Sequence, residues 1–368
     1  MKKTVFVIVA ILTLLLLMPG GVRAGSALEI EASSVMINFP AGLTFSITTV
    51  SDVNITDIRL HYTVDRMRHA EIVSEIAVDF TPVTRVKAQW VWDMRKSGGM
   101  PPGSAVDYWW TITDAGGSRL ETAPERVRIE DNRYDWHSIT EGEVTLYWYD
   151  GDDSFAEELM DAVQEALSRL SLNSGAELED AVRLYIYANA SDLRGSMIFP
   201  QEWTGGVAFT QFGIIAIGIS PSPSSLAWGK RAIAHELTHL VVHQVTFNPY
   251  NHIPIWLDEG LAMMSEGELG SEFEGAIFRA MSENTLISIR SLASPFSAYA
   301  NESILSYAES YKAVEYLINE YGREKMLELL NTFHQGSGYD EALMKVYGFD
   351  TDGLNAQLQA SLETVKVD

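Results

Sequence analysis

Between Leu28 and Asp131 apolar and polar residues alternate with a period of two: Leu43, Phe45 and Ile47; Ile58, Leu60, Tyr62 and Val64; Val86, Ala88, Trp90 and Trp92; Val106, Tyr108, Trp110 and Ile112; Val127 and Ile129. Such alternation predicts strands that bury one face. Stretches rich in turn formers, KSGGMPPGS at Lys96–Ser104 and DAGGS at Asp114–Ser118, separate the strands, and no helical period intervenes. The pattern predicts a small Ig-like β-sandwich over residues 25–131. Its histidines, His61 and His69, stand in no ligand cluster, so the segment reads as a positioning module.

Beyond a polar connector at Asn132–Trp136 the period changes. Val144–Trp148 reads as a strand, and Phe155, Leu159, Met160, Val163, Leu167 and Leu170 follow at helical spacing, with Asp153 as candidate N-cap and Gly175 past the end. Val182–Tyr187 is a second strand. GGVAFTQFGIIAIGI, from Gly205, reads as two strands joined at Gln211–Gly213. From Ser224 onward the pattern is helical, broken by Gly and Pro. Strands followed by helices predict an α+β domain over residues 132–368 with a helical C-terminal part.

Composition narrows the function. The 368 residues carry 50 acidic and 26 basic side chains, a formal net charge of −24, and the sequence shows no basic run. Such a chain repels polyanions, which argues against nucleic acid as a partner. Cysteine is absent, so any metal must be held by His and carboxylate. The first 24 residues combine two lysines, an apolar run from Val5 to Met18 and small or apolar residues at Val22 and Ala24, the pattern of a secretory signal. An uncleaved anchor is the alternative reading. The expectation is export to the periplasm, envelope or medium of a prokaryote, since an exported chain without cysteine forms no disulfides, with association to a cell envelope open and the oligomeric state unspecified.

The chemistry gathers around AHELTHL, Ala234–Leu240. His235 and His239, four apart in a helical stretch, point from one face at adjacent turns and can hold one ion between them. Glu236 is turned about a hundred degrees away, poorly placed to ligate but able to reach a water at the ion, which makes it the candidate general base. A third ligand must come from His243, His252, Asp258 or Glu259. His243 lies about 12 Å along the helix from His235, too far to share a zinc ion. Valines at 242 and 245 exclude the longer metzincin motif. Glu259, in PIWLDEGLAMM after Pro254, follows His239 by a stretch long enough for the chain to turn and return with a carboxylate facing the histidines. Two His and one Glu with an open fourth position form a catalytic zinc set.

HELTHLVVHQ, PIWLDEGLA, YAESYKAVEYLINEYG and the C-terminal YDEALMKVYGFDTDGLNAQLQASL together resemble the peptidase MA-like family of gluzincin zinc metallopeptidases, distant relatives of thermolysin and aminopeptidase N. The resemblance runs from about Val144 to the C-terminus. It implies Zn2+ bound by His235, His239 and Glu259, and a water activated by the metal that gives its proton to Glu236 and attacks a peptide carbonyl. It also implies a tyrosine that donates to the oxyanion. Tyr307-Ala308-Glu309-Ser310 is similar to the Y-x-K-G stretch of aminopeptidases, with Glu and Ser in place of Lys and Gly; Tyr311, one turn on, is the alternative donor. Members of the family pair substrate with a strand edge, which points to Gly205 and Gly206. The G-A-M-E-N stretch that holds a free amino terminus in the aminopeptidases has no counterpart here, so the expected activity is that of an endopeptidase on peptide or protein substrates. A competing expectation is a non-catalytic envelope or binding protein with a degenerate or structural zinc domain.

Overall fold

Among the described residues, the first third of the chain forms eight strands: β1 (Glu29–Asn38), β2 (Gly42–Val50), β3 (Ile55–Val64), β4 (Ser74–Ala77), β5 (Arg85–Asp93), β6 (Ser104–Asp114), β7 (Arg119–Glu121) and β8 (Glu125–Ile129). The computed structural model describes residues 28–67, 70–201, 204–297 and 300–364; the leader at 1–24 and His69 lie outside the described residues. One antiparallel sheet has the order β1-β2-β5, the other β4-β3-β6-β7 with β8 also paired to β6. The alternating positions face inward: Leu43, Phe45 and Ile47 of β2 meet Ile58 and Leu60 of β3 and Val106, Tyr108, Trp110 and Ile112 of β6 in one core. Trp110 is fully buried there and its Nε1–H donates to Ser33 Oγ at 3.2 Å, so even the one polar atom of that ring has an acceptor.

A mixed sheet follows, in the order β12-β13-β11-β10-β9, from β9 (His137–Glu141), β10 (Val144–Trp148), β11 (Val182–Tyr187), β12 (Gly206–Phe209) and β13 (Ile214–Gly218). Strands β10, β11 and β13 run parallel, while β9 and β12 are antiparallel edges. The crossover from β10 to β11 is α1 (Asp153–Ser174). Its N-cap is Asp152, one residue before the sequence expectation, because the Asp152 carboxylate accepts from Phe155 N at 3.0 Å and Asp153 already has helical geometry. Gly175 closes the helix at φ 72°, as expected of a C-terminal glycine.

The short α2 (Ala190–Arg194) leads toward β12, and β13 feeds α3 (Pro223–Thr246), which packs with α1 on one face of the sheet. The remaining helices are α4 (Ile255–Glu266), α5 (Ser271–Glu283), α6 (Ala300–Tyr321), α7 (Arg323–His334), α8 (Tyr339–Tyr347) and α9 (Thr351–Thr364). Leu329 and Phe333 of α7 and Leu354 and Leu358 of α9 extend that helical core. No helix among the described residues is long and apolar enough to cross a membrane.

The opposite face of the sheet carries Tyr185, Tyr187, Ile214 and Ala216, joined by Tyr134 and Trp136. Asn132–Trp136 is therefore more than a polar connector. Arg133 grips Asp131 through Nε and Nη2 at 2.8 and 2.6 Å, Trp136 Nε1 donates to the Asp131 carbonyl at 2.9 Å, and Tyr187 donates its hydroxyl to the Asp131 carboxylate at 2.9 Å. The sandwich sits against this face. Arg183 of β11 donates to Gly103 O at 2.7 Å, Met67 N donates to Gln211 O at 2.8 Å, and Ile198 and Phe212 pack onto the sandwich core.

Candidate metal centre

The helix that carries the histidines begins at Pro223, where a missing N–H costs nothing at a first helical turn. Its apolar residues Ile233, Leu237, Leu240 and Val241 are buried in the core, which fixes the rotation of α3 and turns the imidazoles of His235 and His239 outward on a neighbouring stripe. Their ring centroids are 4.9 Å apart, nearly perpendicular. Pro254 caps α4, and burial of Trp256, Leu257 and Leu261 rotates Glu259 toward α3.

Glu259 Oε2 then stands 3.4 Å from His235 Nε2 and 3.7 Å from His239 Nε2. One ligand atom from each of the three residues falls within 4.8 Å of the others. Donor atoms bound tetrahedrally about 2 Å from one ion stand roughly 3.3 Å apart, so the spacing fits zinc. A second observation agrees: Glu259 Oε2 is buried with no hydrogen-bond donor, although it lies between two imidazole nitrogens. A buried carboxylate oxygen without a donor is costly unless a cation meets it.

Two further carboxylates address the far nitrogens of these rings. His235 Nδ1–H donates to Glu266 Oε1 at 2.8 Å. His239 Nδ1 is 3.1 Å from Asp258 Oδ2, within ion-pair distance but off the angle of a hydrogen bond. Such partners set which nitrogen faces a metal and hold the ring's orientation. Burial disfavours charge on both rings, yet Glu259 and Glu266 outweigh it at His235 and push its pKa well above the ordinary value. At His239 burial is likewise overcome by Asp258 and Glu259, and the pKa is pushed up to about 9. The surroundings are thus built to hold positive charge at this point. Asp258 lies beside His239 Nδ1, and Glu259 is the carboxylate grouped with the two histidines. Glu266 had no signal in the sequence beyond its spacing of two helical turns from Glu259.

Glu236 approaches β12. A Cβ on Gly206 would stand 3.1 Å from Glu236 Oε1, and one on Gly205 would stand 3.0 Å from the Trp228 ring. Glycine at both positions lets the strand lie close over the helix. Gly218 N donates to Gly205 O, so by the alternation of an antiparallel ladder Gly206 and Ala208 turn their N–H and C=O groups to the outer edge. Strand β12 is the edge of its sheet.

The two tyrosines separate. Burial raises the Tyr307 pKa, and the charges of Glu259, Glu236 and Glu266 raise it further, which places its hydroxyl in the field of the cluster. Tyr311 is also raised by burial, but the carboxylates acting on it are Glu315, Glu268 and Glu274. Gly260 explains how α6 comes so near: a Cβ there would overlap the Ser310 carbonyl oxygen. The remaining histidine candidates lie to one side. His243 packs edge-on against Phe247, and it lines with the exposed His252 a cavity of about 470 Å³ that His239 and Asp258 also border.

A sequence model of the Peptidase MA superfamily matches residues 162–364. None of the curated proteins matches. Among solved structures, the chain is similar to an M1 zinc metallopeptidase from Deinococcus radiodurans at 12% identity, over 91% of this chain and 93% of that one, with a TM-score of 0.33. Aminopeptidase A from Legionella pneumophila, in complex with aspartic acid, is 10% identical over 89% of this chain and 50% of that one, with a TM-score of 0.38. Catalytically inactive OgpA from Akkermansia muciniphila, in complex with an O-glycopeptide substrate, is 9% identical over 29% of this chain, with a TM-score of 0.21; the match spans 32% of OgpA's length.

Proposed function

Because the chain belongs to the Peptidase MA superfamily, we propose that it is an exported, zinc-dependent endopeptidase acting on peptide or protein substrates. The observation that carries the reading is the grouping of His235, His239 and Glu259 around a carboxylate oxygen that has no donor, with Glu236 alongside and a strand edge above it.

The three ligands would hold the ion. Zinc, when bound, supplies the positive charge that acidifies a water and polarises a peptide carbonyl. Glu236 accepts the proton of the attacking water and passes it to the departing amine. Tyr307 donates its hydroxyl to the oxygen on which negative charge develops. An extended polypeptide pairs with the outward N–H and C=O groups of Gly206 and Ala208, which sets its carbonyl across the face of α3. Glu266 and Asp258 keep the imidazoles turned toward the ligand cluster. Absence of the G-A-M-E-N stretch favours cleavage within a chain over removal of its first residue. Export rests on the leader at residues 1–24, and the sheet orders β1-β2-β5 and β4-β3-β6 support an Ig-like reading of the first domain.

The competing reading is a binding protein with a structural metal. Such a site fills its fourth position with protein, whereas the cluster found among the described residues supplies three ligands, and Glu236 has no use in it. The experiment is a paired one on purified protein never exposed to chelator: bound metal by elemental analysis, and cleavage of an unfolded protein. Stoichiometric zinc is expected. Glu236→Gln should retain the metal and lose hydrolysis by roughly 10²- to 10⁴-fold. No zinc, or undiminished cleavage by Glu236→Gln, overturns the proposal.

A further inference from the structure

A cavity of about 350 Å³ opens beside the outer edge of β12, on the side away from α3. Its walls come from both halves of the molecule. Gly98, Gly99 and Met100 belong to the turn between β5 and β6 of the sandwich, and Met197, Ile198 and Phe199 to the segment before β12; Val207 and Phe209 of the strand itself close it. The two walls touch, since a Cβ on Gly99 would stand 3.0 Å from Ile198 Cγ1.

Three observations give this cavity a direction. Gly206 borders it while also lying against the Glu236 carboxylate, so one strand borders both the cavity and the candidate metal centre. Phe199 is 79% exposed, and its backbone is held at φ 55°, a left-handed conformation that a phenylalanine rarely adopts. Backbone strain here accompanies an apolar ring presented to solvent at the cavity's rim, and strained residues cluster at ligand sites. The third is the alternation of an extended chain: in a polypeptide paired to β12, successive side chains point to opposite faces, one toward α3 and the next toward the sandwich.

We propose that this cavity receives an apolar side chain of a polypeptide lying along β12, so that the sandwich turn at Gly98–Met100 helps select where the substrate is cut. The inference deepens the proposed function and rests on it for the act of cutting; the pocket itself rests on the geometry above. It also assigns the sandwich a part in specificity that its sequence, with no clustered polar chemistry, does not announce.

Two substitutions probe opposite walls. Phe199→Asn removes the ring, and asparagine tolerates the left-handed conformation. Gly98→Asp adds a carboxylate where a Cβ meets nothing within 4 Å, and Gly98→Asn, equal in shape and uncharged, controls for the backbone strain of a side chain at φ +87°. The probe is a mixture of synthetic unstructured peptides, with cut sites mapped by mass spectrometry, together with fluorescence polarisation of one labelled Leu- and Phe-rich peptide on the zinc-loaded full chain. Wild type should cut at sites sharing a large apolar residue at one fixed position. Both variants should flatten that preference and raise KM for such peptides roughly tenfold or more, with kcat within about twofold. Cleavage with unchanged sites and KM in both variants overturns the pocket and leaves the peptidase standing. Binding of the labelled peptide that weakens in both variants, without cleavage by wild type, supports the pocket and overturns the peptidase. Neither binding nor cleavage overturns both.

Discussion

Glu266 accepts a hydrogen bond from Nδ1 of His235 at 2.8 Å, two helical turns along α4 from Glu259, whose carboxylate meets the other nitrogen of the same ring. One helix therefore supplies a candidate ligand and the group that orients a second ligand on α3. Glu266→Ala should weaken zinc binding by about 10- to 100-fold while leaving the fold intact, because the imidazole loses its fixed orientation and not its place. Competition with a chromophoric chelator measures this directly. An unchanged zinc affinity would show that burial alone holds the ring.

Tyr307 and Tyr311 are one turn apart, and only the first lies in the field of Glu236, Glu259 and Glu266. Tyr307→Phe is expected to lower kcat by roughly 10²- to 10³-fold with little change in KM, the effect of removing a donor used only when charge develops on the oxyanion. Tyr311→Phe should stay close to wild type in kcat. Equal losses in both variants would mean that the hydroxyls support the packing of α6 instead.

Several of these features could be read from the sequence because they repeat with the period of an element. The alternation of Leu43, Phe45 and Ile47 could only suit a strand with one buried face, and the spacing of His235 and His239 places them together on any helix. Gln211–Gly213 joins β12 to β13 as its turn composition suggests. What escaped are contacts between distant elements. Glu266 is one of 50 acidic residues, so nothing in composition singles it out, and its role appears only when α4 packs on α3. Asn132–Trp136 reads as a linker because it has no period, yet Arg133 holds Asp131 and the rings of Tyr134 and Trp136 pack against Tyr187 of β11. Gly260 carries the same lesson: its need arises from Ser310, fifty residues away in sequence.

Glu309 offers a pH-dependent test of the helical part. The residue is 2% exposed, and both carboxylate oxygens accept from Ile287 N, at 3.0 and 3.1 Å. Burial pushes its pKa from the ordinary 4.5 up to about 7, against the lowering effect of that hydrogen bond. The folded state thus binds the proton more tightly than the unfolded one, so this residue's contribution is favourable below about pH 4.5 and declines as pH rises toward 7. At about 1.4 kcal/mol per pKa unit the loss is of the order of a few kcal/mol. Glu309→Gln keeps an acceptor for Ile287 N and cannot ionise. Its melting temperature relative to wild type should rise between pH 5 and pH 8; a constant difference across that range would show that the carboxylate is not the titrating group.

Asp131 ties the sandwich to the sheet behind the candidate metal centre. Its side chain is fully buried, and it accepts from both Arg133 and the hydroxyl of Tyr187, itself fully buried. Asp131→Ala in the full chain leaves that hydroxyl and part of a guanidinium without an acceptor, which should cost about 1–3 kcal/mol. Tyr187→Phe added to Asp131→Ala should cost less than the sum of the two single changes, since the second removes a group the first has orphaned. A chain beginning at Asn132 suffers the same loss and also uncovers Phe212 and the Gly103-facing side of Arg183. Such a fragment should melt well below the intact protein, and its sheet should lose hydrogen-exchange protection at β11 before α3 does. If the fragment melts with the intact chain and protects β11 equally, the sandwich does not brace the sheet, and any loss of cleavage by the fragment must then come from the missing Gly98–Met100 wall.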